Sequence, residues 1–388
     1  MLLTSNPLAT FHNEEIHSYE QYAAGNEIRF ISASALLART MFDWFGDKVG
    51  KEPVSTVELA RNFGIGEPDK PLFAATLQIL DRAGYLVITG ESVRKAQFDE
   101  AELNGLVTGL KTEGLATYRK GQWLQDAVGP ALALTLSCIP RLPEFFRGET
   151  TGLQILFSPA NYSLSMNIYG GHFQQVYYDL IAERIVAQCY SIWDREPNRK
   201  VHILEIGAGS GKGSVRILEG LRGHEDKICF CFTDIGNSFL RRAKKIFRSF
   251  ECEMEFRLLD ISKELKAQDF AENDFDIVFA TNVLHATQDL RTTLSNAYRL
   301  LVPGGSIFVN EIVADMAANT LSYGMTPGWW LATDGLRLPL SPVATSNTYR
   351  HLMTEIGFQD LAVVGYPGVP EKEQVQAIIK GTKKLSQS

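Results

Sequence analysis

Residues 201–213 read VHILEIGAGSGKG. The first six make a short apolar strand with Glu205 near its end. Gly207, Gly209 and Gly211 then follow at alternate positions. Glycines so placed let a chain turn tightly and approach a ligand closely. The loop leaves a strand and opens a helix, GSVRILEGLRG, which is the context such a loop needs. Its spacing departs from the G-x-G-x-x-G dinucleotide form, although Gly213 lies nearby. A P-loop lysine pattern is missing, so a triphosphate is not expected.

Downstream the chain alternates strand and helix. KICFCFTD, EMEFRLLDI, FDIVFAT, GSIFVNEIV, QDLAVVGY and QVQAIIKG read as strands. SFLRRAKKIFRSF, DLRTTLSNAYRLL and SNTYRHLMTEIG read as helices. Strands separated by such helices predict an α/β fold, a Rossmann-like sheet of seven strands with helices on both faces. Ligands of such sheets bind beyond the C-terminal strand ends.

Those ends carry acids. Asp234 closes the second strand, 23 residues past Gly211, where a carboxylate can accept from both ribose hydroxyls. Asp260 and Ile261 close the third, an acid for an adenine amino group and an apolar cover for its ring. Together with the glycine loop they predict an adenosine site. The fourth strand runs into Asn282-Val283-Leu284-His285, and the fifth carries Glu311. Neighbouring strands would bring His285 and Glu311 together as a base and its orienting carboxylate.

Upstream, residues 28–147 read as mostly helical. STVELARNFGI, PLFAATLQILDRAGY and LVITGES suggest a helix-turn-helix with a wing. A module that packs on the second domain is the expectation, since no basic stripe favours DNA. The polar stretch DREPNRK marks a boundary, giving a mainly helical domain over 1–198 and a cofactor-binding core over 199–388.

Composition agrees with these assignments. The 388 residues are 45% hydrophobic and 21% charged, with a net charge of -7. That is an ordinary globular composition long enough for two domains, without a nucleic-acid footprint. No apolar run suits a membrane helix, and residues 1–20 lack signal-peptide character. Five cysteines without metal spacing suit reduced thiols, hence a cytoplasmic setting and no metal. Arg241, Arg242, Lys244 and Lys245 read as a solvated helix face.

LEIGAGSGKGS, FTDIGNSFL, FDIVFATNVLHAT, NEI, GWW and LRLPLSP resemble the carbon-methyltransferase domain of polyketide synthases. Upstream, PEFFRGETTGLQILFSPANYSLSMNIYGG matches as well, so the resemblance covers roughly residues 34–381. It implies a class I methyltransferase that uses S-adenosylmethionine, with the mainly helical domain over 1–198 as its substrate lid. The substrate would be a β-ketoacyl thioester on the phosphopantetheine arm of an acyl carrier protein. Glu205, Gly207, Gly209, Gly211, Asp234, Asp260 and Ile261 would hold the cofactor. His285 would be the base and Glu311 its partner. Tyr169, with Tyr162 as the alternative, would be an active-site tyrosine, and Tyr169 or Asn282 would hydrogen-bond the enolate oxygen. Trp329 and Trp330 would wall an acyl tunnel or anchor their loop. Ser210-Gly211-Lys212 departs from the family's Thr-Gly-Gly, and Tyr349 stands where the family has tryptophan. An oxygen- or small-molecule methyltransferase and an inactive structural domain are the competing readings.

Overall fold

The computed structural model describes residues 19–112, 131–167 and 172–385. Three short strands, β1 (Val54–Ser55), β2 (Leu86–Thr89) and β3 (Ser92–Lys95), form a small antiparallel sheet. With the helices Thr56–Asn62 and Lys70–Arg82 they make the winged shape read from the sequence. Ser55 caps the first helix by accepting from the Glu58 N–H. The chain leaves the second helix through Gly84 at φ +77°, a left-handed turn that suits glycine. The long helix Tyr19–Phe45 packs against this module.

The main sheet has seven strands: β4 (Val201–Ile206), β5 (Ile228–Asp234), β6 (Glu253–Leu258), β7 (Phe275–Thr281), β8 (Leu301–Ile312), β9 (Phe358–Gly365) and β10 (Gln376–Lys383). Their order is β6-β5-β4-β7-β8-β10-β9. All pairs are parallel except those of β10, which runs antiparallel to β8 and β9. The order reverses between β4 and β7, the crevice where such sheets bind ligands. β4 is buried at five of its six positions, as an apolar parallel strand covered on both faces should be.

Packing crosses the boundary near residue 198. The helix His172–Arg195 precedes it, yet Tyr177, Ile181, Ile185 and Cys189 join the core beneath β4 and β5. The helix Ala317–Tyr323 follows β8, yet Ala317, Leu321 and Met325 join the N-terminal apolar cluster with Leu37, Leu72 and Phe146. A side chain on Gly152 would meet the Met325 carbonyl oxygen at 2.1 Å, so the two halves touch backbone to backbone there. The Thr135 hydroxyl adds a 2.9 Å bond to the Ala318 carbonyl, and Arg82 pairs with Asp315 at 2.7 Å.

Among the described residues no helix is long and apolar enough to cross a membrane. Leu321 lies in the C-terminal half and is fully buried against the N-terminal half. Leu321→Ala should therefore cost about 2–5 kcal/mol and speed protease cleavage within residues 30–110. Unchanged cleavage there would mean that the helical module does not depend on this contact.

Candidate active site

The glycine loop is held by sterics and by the second strand. Gly207, Gly209 and Gly211 all have positive φ. A methyl group on Gly207 would lie 2.6 Å from Val283 Cγ1, so no other residue fits between the loop and the β7 end. The Ala208 N–H donates to the Thr233 carbonyl at 2.8 Å. Asp234 Oδ2 accepts from the Gly209 N–H at 3.0 Å and Oδ1 from the Gly236 N–H at 2.8 Å. Each oxygen keeps a lone pair for a ligand hydroxyl.

Asp260 sits one strand further out. Burial raises its pKa, but hydrogen bonds from Ser262 and Lys263 outweigh this and hold the carboxyl below its usual range. It is thus an ionised acceptor. Ile261, expected from the sequence as an apolar ring cover, is not bare at the rim. Its side chain is buried in the core beside Leu265 and Leu294, and its carbonyl accepts from Asn296. Ile235, directly after Asp234, is instead 76% exposed. An isoleucine this bare beside a fixed carboxylate suits the flat apolar face of a nucleoside.

Glu205 takes a different place from Asp234. It is buried under the loop and accepts a hydrogen bond from the Ser214 hydroxyl. Burial pushes its pKa up to about 8, and the nearby Asp234 pushes the same way against the Ser214 bond. Glu205 is therefore a neutral brace of loop and helix at pH 7. Its side chain lies in the core and not at the rim.

At the β7 and β8 ends the geometry is tight. The Glu311 carboxylate is fully buried. Its Oε1 accepts the Val283 and Leu284 N–H groups at 2.7 and 2.6 Å. Its Oε2 meets His285 Nδ1 at 2.7 Å. A carboxylate only accepts, so the imidazole proton is on Nδ1 and Nε2 is the basic nitrogen. The backbone after His285 is fixed from outside. Arg337 donates to the Thr287 and Pro342 carbonyls at 3.0 and 2.9 Å and pairs with Asp334. Burial works against the Asp334 carboxylate, but N–H groups of Leu290 and Leu336 and the Arg337 charge keep its pKa low. Arg337 lies in the LRLPLSP stretch and Asp334 just before it, with nothing in the sequence to mark either role.

The two tryptophans divide their tasks. Trp329 lies beside His285, with ring centroids 6.5 Å apart, and stacks on Tyr323. Its buried indole N–H has no partner among the described residues. Trp330 instead donates to the Gly324 carbonyl at 2.7 Å and packs on the N-terminal cluster. These contacts anchor its loop. Tyr169 lies outside the described residues, and Tyr162 is exposed on the short helix Tyr162–Asn167. Asn282 has φ +53° and donates from Nδ2 to Gln174 at 3.4 Å, while its buried Oδ1 has no partner among the described residues. Its NH₂ group keeps a second proton beside the one given to Gln174. Among the described residues no cluster of His, Cys, Asp or Glu could hold a metal.

Residues 204–307 match the methyltransferase-domain family. The chain is 28% identical over 289 residues to the polyketide synthase PksM of Bacillus subtilis, covering 73% of this chain and 7% of that one. It is 32% identical over 247 residues to the polyketide synthase ThaQ of Burkholderia thailandensis, covering 62% and 12%. The chain thus spans about a tenth of the length of these curated relatives. The crystal structure of the DszA carbon methyltransferase aligns with all of this chain and 95% of its own, at TM-score 0.82 and 26% identity. The CurJ carbon methyltransferase shares the fold at TM-score 0.77 and 23% identity, over 97% and 96% of the two chains. The chain therefore resembles polyketide synthase carbon-methyltransferase domains along its whole length, with the class I methyltransferase fold. The cofactor of that class is S-adenosylmethionine. The fixed Asp234, the ionised Asp260 and the bare Ile235 fit its adenosine half, and the positive-φ loop leaves room beside it for the amino-acid part.

The buried Glu205 gives a pH test. Its folded pKa of about 8 exceeds the ordinary 4.5, so within that window the folded state keeps a proton that the unfolded state has lost. Stability from this group falls as pH rises, by about 1.4 kcal/mol per unit at most. Glu205→Gln removes the titration. Its denaturation midpoint should gain on the parent's steadily between about pH 5 and 8. A constant difference would show that Glu205 is ionised when folded.

Proposed function

We propose that the chain methylates the α-carbon of a β-ketoacyl thioester carried by an acyl carrier protein, during polyketide biosynthesis. The observation that carries this reading is the His285–Glu311 hydrogen bond, set at the strand ends beside the glycine loop. An α-carbon between two carbonyls is acidic enough for an imidazole base. His285 Nε2 takes that proton, and Glu311 holds the ring and stabilises the imidazolium. The resulting enolate is the carbon nucleophile. S-adenosylmethionine, when bound, supplies an electrophilic methyl group. Gly207, Gly209 and Gly211 would border its methionine part, Asp234 would hold its ribose and Asp260 its adenine.

The helical half is proposed to act as the substrate lid. Support comes from the segment 317–330, which packs on that half and carries Trp329 to the side of His285. Ordering of this segment against substrate would exclude water from the enolate. The five free cysteines, four of them buried, suit a reducing, cytoplasmic setting.

His285→Gln leaves a donor for the Glu311 carboxylate and removes the base. Turnover should fall by about 10²- to 10⁴-fold, with S-adenosylhomocysteine affinity in calorimetry unchanged. Mass spectrometry of a β-ketoacyl carrier protein should add one methyl, located on carbon after chemical cleavage. Methylation at oxygen would favour the small-molecule reading. Normal turnover by the variant would remove His285 from the mechanism.

A further inference from the structure

Four side-chain amides join the lid-side helix to the candidate active site. Gln174 lies on the helix His172–Arg195, and Gln376 begins β10. They form a reciprocal pair: Gln174 Nε2 donates to Gln376 Oε1 at 3.0 Å, and Gln376 Nε2 returns a 3.4 Å bond to Gln174 Oε1. Gln376 Nε2 also donates to Asn310 Oδ1 at 2.8 Å. On the other side Asn282 Nδ2 donates to Gln174 Oε1 at 3.4 Å. A line of donation thus runs from Asn282 through the glutamine pair to Asn310, and only the 3.4 Å Gln376-to-Gln174 bond runs the other way.

The two ends of the chain are what such a direction requires. Asn282 Oδ1 and Asn310 Nδ2 are both buried and have no partner among the described residues. A buried unmet acceptor costs stability, and Asn282 adds a left-handed backbone at φ +53°. Both costs fall on one residue, three positions before His285. The turn onto Glu311 accounts for the backbone, whereas the unmet oxygen would be satisfied by a ligand that brings an N–H.

We infer that Asn282 Oδ1 accepts a hydrogen bond from an N–H of a bound ligand, and that Gln174 is the positioning residue that turns this oxygen toward it. The ligand group is either the ammonium of the cofactor's amino-acid part or an amide of the arm that carries the acyl thioester. This rests on the functional reading above. Gln174 offers only its carbonyl oxygen to Asn282, because its own NH₂ group is committed to Gln376. Asn282 must therefore turn its NH₂ group to Gln174 and its oxygen away. Chains of this kind polarise each member, which strengthens the terminal acceptor.

The direction of donation can be kept, broken or reversed at one position. Gln174→Glu keeps an acceptor toward Asn282 and, when protonated, a donor toward Gln376. Gln174→Leu removes both. Gln174→Lys offers only donors, so Asn282 would turn its oxygen inward and present its NH₂ group to the ligand. The two probes are calorimetry with S-adenosylhomocysteine and steady-state kinetics with an N-acetylcysteamine β-ketoacyl thioester, whose arm has one amide. If the cofactor ammonium is the donor, its affinity should hold in Gln174→Glu and fall about 3- to 10-fold in Gln174→Leu. It should fall further in Gln174→Lys. If the arm amide is the donor, calorimetry should stay constant and the thioester KM should rise in the same order with kcat retained. Equal weakening by Gln174→Glu and Gln174→Lys would mark a merely structural residue and overturn the inference. So would no change in either probe. Calorimetry needs no turnover, so a failed methylation assay and a failed relay are separate results.

Discussion

The buried carboxylate of Glu311 is the constraint on which the rest of the site depends. It enters the protein interior on β8 and is matched by three donors, two backbone N–H groups and one imidazole N–H. An unpaired charge there would cost several kcal/mol. Charge-assisted bonds offset that cost only if the chain after β7 turns back over the β8 end. The same turn presses Val283 against the glycine loop, so that only glycine fits at position 207. One carboxylate thus sets the His285 tautomer, the path of residues 282–285 and, through Val283, the closeness of the loop on the neighbouring strand.

The arrangement around this carboxylate explains why the two halves are interleaved. A helical module that merely sat on the sheet could not reach His285. The segment after β8 crosses into the N-terminal cluster through Leu321 and Met325 and returns with Trp330 anchored and Trp329 beside the imidazole. In exchange, the helix His172–Arg195 lies on the sheet and carries Gln174 to the β7 end. Each half therefore holds an element of the other at the crevice. Substrate contacts and core packing cannot be separated there as they could in two domains joined by one linker.

What was legible in the sequence is what is local along the chain. Seven apolar runs bounded by turns gave the strands, and a strand-loop-helix unit with glycines at 207, 209 and 211 gave the ligand end. His285 and Glu311 were paired by strand adjacency, which the expected sheet order supplied. The rest depended on which way a side chain faces. Ile261 and Ile235 each follow a strand-end acid, and only the folded chain buries one and bares the other. Trp329 and Trp330 are adjacent and face different partners. Gln174 and Gln376 stand 202 positions apart with nothing in their neighbours to mark them. Asn282 alone carried a readable signal, since asparagine tolerates positive φ better than most residues, but its amide direction is set by the distant pair.

Two acids at the glycine loop show how one loop serves both packing and binding. Glu205 and Asp234 lie near the ends of the neighbouring strands β4 and β5, yet they meet opposite solvation. Asp234 receives two backbone N–H groups and keeps lone pairs outward. Glu205 receives one hydroxyl in a closed space, and burial drives it neutral. Were both ionised they would repel across the strand ends, and the inner one would lack the donors that a buried carboxylate needs. Neutralising the inner acid leaves one negative group at the rim for a ligand and a well-packed brace beneath it. A net charge of -7 is therefore a poor guide to this site. The charge that a ligand meets depends on which carboxylates the backbone supplies with N–H groups.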